Sequence, residues 1–380
     1  MLTGLDVLVK DMSVLKQKRV GLLTNPSGVT HDLQQNIDVF IESGVNLVAL
    51  FSPEHGFGGM VMAGEKITSG IEPHTGLTLH SLYGETRKPT PEMLAELDIL
   101  LFDLQDVGAR FYTYTATLAL AMQACAENGV MLLVLDRPNP IRGDIVEGPV
   151  MQPAFQSFVG HGLMPIRYGL TIGELAKFYA LESDAKNLRL EVLPMQGWRR
   201  DTWFDQTGLH WVSPSPNIPH AHTATLYPGM GLAGEGNGYS IGPATQLPFE
   251  RIGAPWVDAY KLAAVLNKLD MAGVRFRPTV FMPTAKQYVY ANETCPGVQV
   301  HVTDRNSLRA VTLGLHILTT LRALYPDRWE WKASHFDRLI GNDTTRAQID
   351  SGLPVADIVA SWQAEQAAFL ERARSCFLYS

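Results

Sequence analysis

The chain has 380 residues, 46% of them hydrophobic, and a formal net charge of −7 with its acidic residues spread along the sequence. That size suits two ordinary domains with real cores. There is no basic stripe to neutralise phosphates, so a nucleic-acid partner is not expected, and no apolar run approaches the roughly 18 residues that cross a bilayer.

Residues 1–11 carry Asp6 inside an apolar stretch and lack a basic start and a small-residue cleavage site. They do not read as a signal peptide, so a cytoplasmic location is expected, or a periplasmic or secreted one if a leader has been removed. Short apolar runs at 20–23, 47–51, 99–102 and 130–135 predict buried parallel strands. Helical patterns lie between them at 31–43, 91–97 and 115–128. In the first, Thr30 or Asp32 is placed to cap, and Ile37, Phe40 and Ile41 share a face. Gly44 and Gly129 follow as stops. The fold class this predicts is α/β, with a Rossmann-like, mostly parallel sheet over residues 1–150.

Beyond Asp136 the texture changes. Arg137-Pro138-Asn139-Pro140 continues neither strand nor helix easily, and 138–170 reads as loops over the sheet edge. A helix over 172–181 follows Thr171, with Glu174 positioned for a capping box. Strand-like segments at 188–193, 279–282 and 298–302, and helices over 257–271, 307–324 and 355–374, predict a second, smaller α/β domain over 151–380. Segment 205–255 is long, irregular and rich in Pro and Gly, a texture more often functional than idle. Cys125, Cys295 and Cys376 are odd in number and far apart, so free thiols in a reducing compartment are expected.

In an open parallel sheet, ligands bind outside the carboxyl ends of the strands. Those ends deliver Asn25, Glu54, His55, Asp106 and Asp136 to one edge, a polar site suited to an enzyme acting on a polar small molecule. Glu54 is the leading catalytic candidate. It follows Pro53 in a Pro-Glu-His-Gly-Phe-Gly-Gly turn whose glycines permit close approach of a ligand. With Phe51 and Phe57 nearby, its carboxyl pKa is expected to rise toward that of a general acid; the alternative is a solvated turn glutamate. His55 is either a participant or a structural hydrogen-bonding residue. A metal site drawn from His55, Asp103, Asp106 and Asp136 lacks any helix-type ligand spacing, so no metal and no cofactor are expected.

The stretch 104–114 is equally dense. Gln105 and Asp106 suit hydroxyls or an amide, Arg110 suits a carboxylate, and Tyr112 and Tyr114 offer ring faces and hydroxyls. Alternatively Arg110 pairs internally with Asp106 and the tyrosines pack. Asp136, Arg137 and Asn139 suit sugar hydroxyls or are plain turn residues. Asn217, in the rigid strap 214–219, and Trp211 offer a polar contact and a stacking face. Gly238-Tyr239-Ser240-Ile241-Gly242 matches a nucleophile elbow but lacks a strand before it and a helix after it. The glycines at 229, 231, 234, 236 and 238 lack the ending and spacing of a phosphate loop.

Several long motifs then coincide with one family: Arg19-Val20-Gly21-Leu22-Leu23-Thr24-Asn25-Pro26-Ser27-Gly28, Leu50-Phe51-Ser52-Pro53-Glu54-His55-Gly56, Ser81-Leu82-Tyr83-Gly84, the run from Asp103 to Tyr114, Leu135-Asp136-Arg137-Pro138-Asn139-Pro140, Val146-Glu147-Gly148-Pro149, Gly197-Trp198-Arg199-Arg200 and Pro214-Ser215-Pro216-Asn217. The chain resembles the exo-β-N-acetylmuramidase (NamZ) family over nearly its whole length. The resemblance implies a cleft between a Rossmann-like domain and a smaller one, and removal of non-reducing terminal N-acetylmuramic acid from peptidoglycan sugar fragments. Its proposed catalytic glutamate maps to Glu54. On this reading Asp106 or the substrate's own 2-acetamido group is the second catalytic group. His55, Gln105, Tyr112 or Tyr114 orients that amide, and Arg110 or Arg137 binds the lactyl carboxylate. A homo-oligomer is left open. One segment departs: where the family commonly reads Ser-Glu-Gly-Arg-Gly-Thr, this chain has Ser240-Ile241-Gly242-Pro243-Ala244-Thr245. A metal-dependent hydrolase and a non-catalytic sugar-binding protein are the alternatives.

Overall fold

The four apolar runs form the middle of a seven-stranded sheet, seen in a computed structural model that describes residues 1–183, 187–235 and 238–380. Its strands are β1 (Val20–Thr24), β2 (Leu47–Ser52), β3 (Gly70–Ile71), β4 (Thr78–Ser81), β5 (Ile99–Asp103), β6 (Met131–Leu135) and β7 (Arg189–Leu193), in the order β3-β4-β2-β1-β5-β6-β7. All neighbours are parallel except β3 and β4. Successive side chains point to opposite faces, so Leu100 and Phe102 of β5 enter one core while Ile99 and Leu101 enter the other. Helices α1 (Gly4–Lys10) and α2 (Asn36–Glu42) cover one face through Leu5, Leu8, Ile37 and Phe40. Helices α3 (Pro91–Leu94), α4 (Tyr114–Asn128) and α5 (Ile172–Glu182) cover the other. The expected capping box is present at α5, where Thr171 and Glu174 exchange side-chain and backbone bonds.

Two expectations change. Residues 188–193 belong to the first sheet, because α5 is a crossover that returns the chain parallel to β6. The sheet therefore does not close at residue 150. Segment 205–255 is not wholly irregular: α6 (Ala221–Glu235) runs through Pro228 and Gly229, Gly231 and Gly234. Those glycines are helical rather than part of a phosphate loop, and Gly236 lies outside the described residues.

The second sheet has β8 (Arg251–Gly253), β9 (Val274–Phe281) and β10 (Cys295–Val302), antiparallel in the order β8-β10-β9. Helix α7 (Ala259–Lys268) packs on it, and α8 (Ala310–Leu324) packs against α6. That contact is so close that a Cβ on Gly229 would lie 1.8 Å from the Ala310 carbonyl oxygen, and one on Gly314 would lie 2.4 Å from that of Gly229. Glycine is used here for backbone approach, which disguises the helix in the sequence. Helices α9 (Ala333–Ile340), α10 (Thr344–Asp350), α11 (Val355–Ser361) and α12 (Gln363–Ala373) complete the chain, the last two replacing the single helix expected over 355–374. One hydrophobic core runs from Leu100 and Phe102 of the first sheet to Val298 and Val300 of the second.

Candidate active site

Strand order reverses between β1 and β5, the place where an open α/β sheet usually receives its ligand. Here that crevice is filled by the protein's own polar groups. Asp103, at the end of β5, accepts from the Arg137 guanidinium at 2.6 and 3.0 Å and from Asn36 Nδ2 at 2.7 Å. Arg137 also donates to the Val29 carbonyl at 2.9 Å, and its side chain is only 4% exposed. Its Nε and Nη2 are therefore committed to the protein, which anchors the guanidinium against β5.

One strand pair further out, the edge holds Glu54. Ser52 of β2 is in register with Ser81 of β4, and Leu82 N–H donates to the Ser52 carbonyl at 2.9 Å. The chain therefore emerges with Glu54 and Tyr83 side by side. Glu54 is buried; its Oε1 accepts from Gly64 N–H at 3.1 Å and its Oε2 from the Thr113 hydroxyl at 2.7 Å. Thr113 occupies the N-cap of α4 but makes no side-chain cap there, spending its hydroxyl on Glu54. A carboxylate at a helix N-terminus is electrostatically favoured. The aromatic group facing this carboxylate is Tyr83: burial first, and then the Glu54 charge, push the Tyr83 hydroxyl up to about 12.

The turn that presents Glu54 is strained. His55 has φ +73° and Gly56 +77°, a region costly for a residue with a side chain and concentrated at functional sites. The His55 ring is fixed by Nδ1 lying 2.7 Å from the Val61 carbonyl. That oxygen can only accept, so Nδ1 carries a proton. Beneath the turn, Tyr114 donates to the Pro214 carbonyl at 2.6 Å and Asn25 Nδ2 donates to the Tyr114 hydroxyl at 2.8 Å. Asn25 also donates to the Pro214 carbonyl and accepts from Ser27. Asn25 and Tyr114 thus form the floor under Glu54 and tie it to the 214–217 strap, with their polar atoms engaged.

The remaining sequence-predicted residues lie elsewhere in the interior. Arg110 is fully buried and makes neither the expected ligand contact nor a pair with Asp106. Its guanidinium donates to the carbonyls of Pro149, Met164, Leu339 and Ile340 at 3.0, 2.6, 2.8 and 2.8 Å. Burial pulls it down to about 9. Asp106 accepts from Tyr168 and from Gly108 N–H, and burial pushes its carboxyl up to about 6. Gln105 donates to the Asp106 and Pro138 carbonyls. Tyr112 packs edge-on against Tyr114 with centroids 4.7 Å apart. Asn139 donates to the Leu170 carbonyl and accepts from Ile141 N–H. Asn217 donates to the Tyr288 hydroxyl at 2.8 Å and accepts from Ala244 N–H at 3.0 Å, bridging the strap to the second lobe. Trp211 N–H donates to the Ile218 carbonyl. Among the described residues no group of three or more His, Cys, Asp or Glu side chains gathers as metal ligands do. Ser240 is buried in a bridge to Gly253 with no helix after it, so the elbow context is absent. Ile241, in the segment that departs from the expected family pattern, packs into the core against Gly234.

Asp136 is a further correction. Instead of sugar hydroxyls it accepts from Thr171 at 2.8 Å, Gly173 N–H at 2.7 Å and Tyr379 at 2.5 Å, fully buried. Burial, only partly offset by these donors, pushes it up to about 7. A carboxyl raised in the folded state stabilises the fold fully below its unfolded value near 3.8 and loses that contribution as pH rises through about 7. The difference in urea midpoint between the wild type and Asp136→Asn should therefore change between pH 4 and 7, the wild type falling more steeply with rising pH. A pH-independent difference would show that Asp136 does not titrate in that window.

Sequence reading missed Thr113, Tyr83 and Gly64 as partners of Glu54. Tyr83 and Thr113 had a signal in the Ser81-Leu82-Tyr83-Gly84 motif and the run from Asp103 to Tyr114; Gly64 had none, since only folding brings it there.

Comparison with known proteins agrees with this architecture. Family models described as exo-β-N-acetylmuramidase NamZ match the chain, the N-terminal one over residues 20–222 and the C-terminal one over 225–379. The chain is 43% identical over 380 residues, 99% of its length and 91% of the relative's, to the peptidoglycan β-N-acetylmuramidase NamZ of Bacillus subtilis (strain 168). A crystal structure of a DUF1343 family protein from Bacteroides fragilis matches with a TM-score of 0.92 at 40% identity, covering 100% of this chain and 99% of that one. A second from the same organism gives 0.79 at 30%, with the same coverage. The chain belongs to the exo-β-N-acetylmuramidase NamZ family.

Proposed function

We propose, with that membership as premise, that the protein is a glycosidase releasing non-reducing terminal N-acetylmuramic acid from peptidoglycan-derived sugars, and that Glu54 is its general acid. The observation that carries the assignment of Glu54 is its setting: a buried carboxyl on a strained turn at the sheet edge, held by Thr113 and Gly64. The Thr113 hydroxyl suits either protonation state, donating to the carboxylate and accepting from the acid. In the first step Glu54 gives its proton to the glycosidic oxygen as the bond to C1 breaks. Glycosidases commonly supply a second carboxyl group. Asp106, sequestered with Tyr168, is poorly placed for that role. The substrate's 2-acetamido oxygen is the better candidate, closing on C1 to a cyclic oxazolinium. Water then opens that ring and Glu54 takes its proton, which restores the acid.

The test is incubation of the purified protein with a muramic acid–glucosamine disaccharide and with a chromogenic N-acetylmuramic acid glycoside, using the N-acetylglucosamine glycoside as control. Release of N-acetylmuramic acid is expected, with little or no cleavage of the control. A folded protein that releases none from either muramic substrate is not this enzyme.

A further inference from the structure

With Arg110 closed by four carbonyls and Arg137 anchored to Asp103 and Val29, a cation beside Glu54 itself is the candidate receptor for the carboxylate that distinguishes muramic acid from glucosamine. Beside Tyr83, the neighbour of Glu54, lies a cation of suitable chemistry, Arg87. Arg87 follows Tyr83 on the loop leaving β4, and its side chain is exposed. Its guanidinium carbon sits 4.3 Å from the Phe158 ring centroid and 5.3 Å from that of Tyr83, and the two rings lie 5.8 Å apart. Phe158 is carried on the tight turn closed by the Ser157 and Gly160 backbone bonds. No carboxylate among the described residues pairs with Arg87, whereas the adjacent Lys88 is paired with Glu127 at 2.7 Å.

A guanidinium carries five N–H groups, so Arg87 can stack on aromatic faces, meet the Tyr83 hydroxyl and still offer N–H groups to a carboxylate, and the stacking fixes its direction. Tyr83 links the two ends of this arrangement: its hydroxyl bonds Glu54 and also meets the Arg87 guanidinium, which lies beside its ring. A sugar ring lying along Tyr83 with its glycosidic oxygen at Glu54 would turn a carboxylate-bearing substituent toward Arg87. We propose that Arg87, braced by Tyr83 and Phe158, is the specificity residue that binds the lactyl carboxylate of N-acetylmuramic acid. This rests on the glycosidase reading above.

The experiment compares wild type, Arg87→Gln and Arg87→Lys on chromogenic N-acetylmuramic acid glycoside and on its lactyl methyl ester. Binding of free N-acetylmuramic acid and of N-acetylglucosamine is measured by titration calorimetry on the same proteins. A lost charge-assisted pair corresponds to about 10- to 100-fold. Arg87→Gln should lose that factor in kcat/KM on the acid, mainly through KM, and almost nothing on the ester. Arg87→Lys should recover part of the loss, since it keeps the charge without the fork. Equal losses on acid and ester, or unchanged preference for the acid, would overturn the proposal. If wild type binds N-acetylmuramic acid at least tenfold more tightly than Arg87→Gln yet cleaves neither glycoside, the carboxylate site stands and the hydrolase reading falls. If wild type and Arg87→Gln bind the acid alike, the site falls whatever the turnover.

Discussion

Glu54→Gln is expected to lower kcat on a natural disaccharide by about 10²–10⁴-fold, the usual contribution of general acid catalysis, with folding and sugar binding nearly intact. The structure explains why folding should survive. Gln keeps one oxygen to accept from Gly64 N–H, and the Thr113 hydroxyl can turn to accept from the new amide. The effect should depend on the leaving group. A nitrophenol needs little protonation, so the loss should shrink on a nitrophenyl glycoside. Paired measurements of kcat on both substrates, with circular dichroism to confirm folding, check this. Wild-type kcat on the disaccharide would remove Glu54 as the acid. An equal loss on both leaving groups would instead assign it to positioning, base or nucleophile chemistry. Thr113→Val should give a smaller loss in the same direction, because it deletes the hydroxyl that serves both protonation states.

The second large effect concerns stability. Arg110 is a buried cation that closes four backbone carbonyls, from Pro149, Met164, Leu339 and Ile340. Two of them are at the C-terminal end of α9, where a positive charge also meets the negative end of the helix dipole. Arg110→Met has nearly the right length but takes the side-chain donor from all four acceptors, of which, among the described residues, only the Met164 carbonyl keeps another, the Met151 N–H. An unsatisfied buried group costs about 1–3 kcal/mol, so the variant should lose at least about 3–5 kcal/mol, a large share of the roughly 5–15 kcal/mol that holds a domain together. Arg110→Lys should also be damaging, since a single ammonium cannot span two pairs of carbonyls. Urea unfolding followed by fluorescence measures both. A loss below about 1 kcal/mol in Arg110→Met would mean that water or relaxation replaces the guanidinium.

What the sequence made legible, and what it hid, divides along physical lines. Periodicity and caps are local, so β1, β2, β5, β6 and the Thr171–Glu174 box could be read directly. Helix α6 was obscured because it is apolar on all sides and built with glycines for contact with α8. Residue type suggested that Arg110, Asp106, Asp136 and Arg137 face a ligand, since polar groups at strand ends often do. Whether such a group meets a ligand or the protein depends on contacts distant in sequence: Leu339 for Arg110, Tyr379 for Asp136, Tyr168 for Asp106. Those distances are invisible to motif reading. The turn that carries Glu54 was legible because it is local, with Pro53 before it and Gly56 after it. The bracing of Arg87 had no local signal because Phe158 lies on a different loop.

The bond between Tyr379 and Asp136 also sets a clock. The two residues are 243 positions apart. A ribosome adding roughly 5–20 residues per second makes the strand end carrying Asp136 on the order of ten to fifty seconds before Tyr379 exists. During that interval the nascent sheet can pair β1, β2, β5 and β6, but its last strand end lacks the hydroxyl that finishes it. Residues 378 and 380 join the same seam, through Leu378 N–H to Glu174 and the Ser380 carbonyl to Arg200 N–H. The first sheet is thus completed only by residues 378–380, made long after its strands, which postpones its final locking until that segment has emerged.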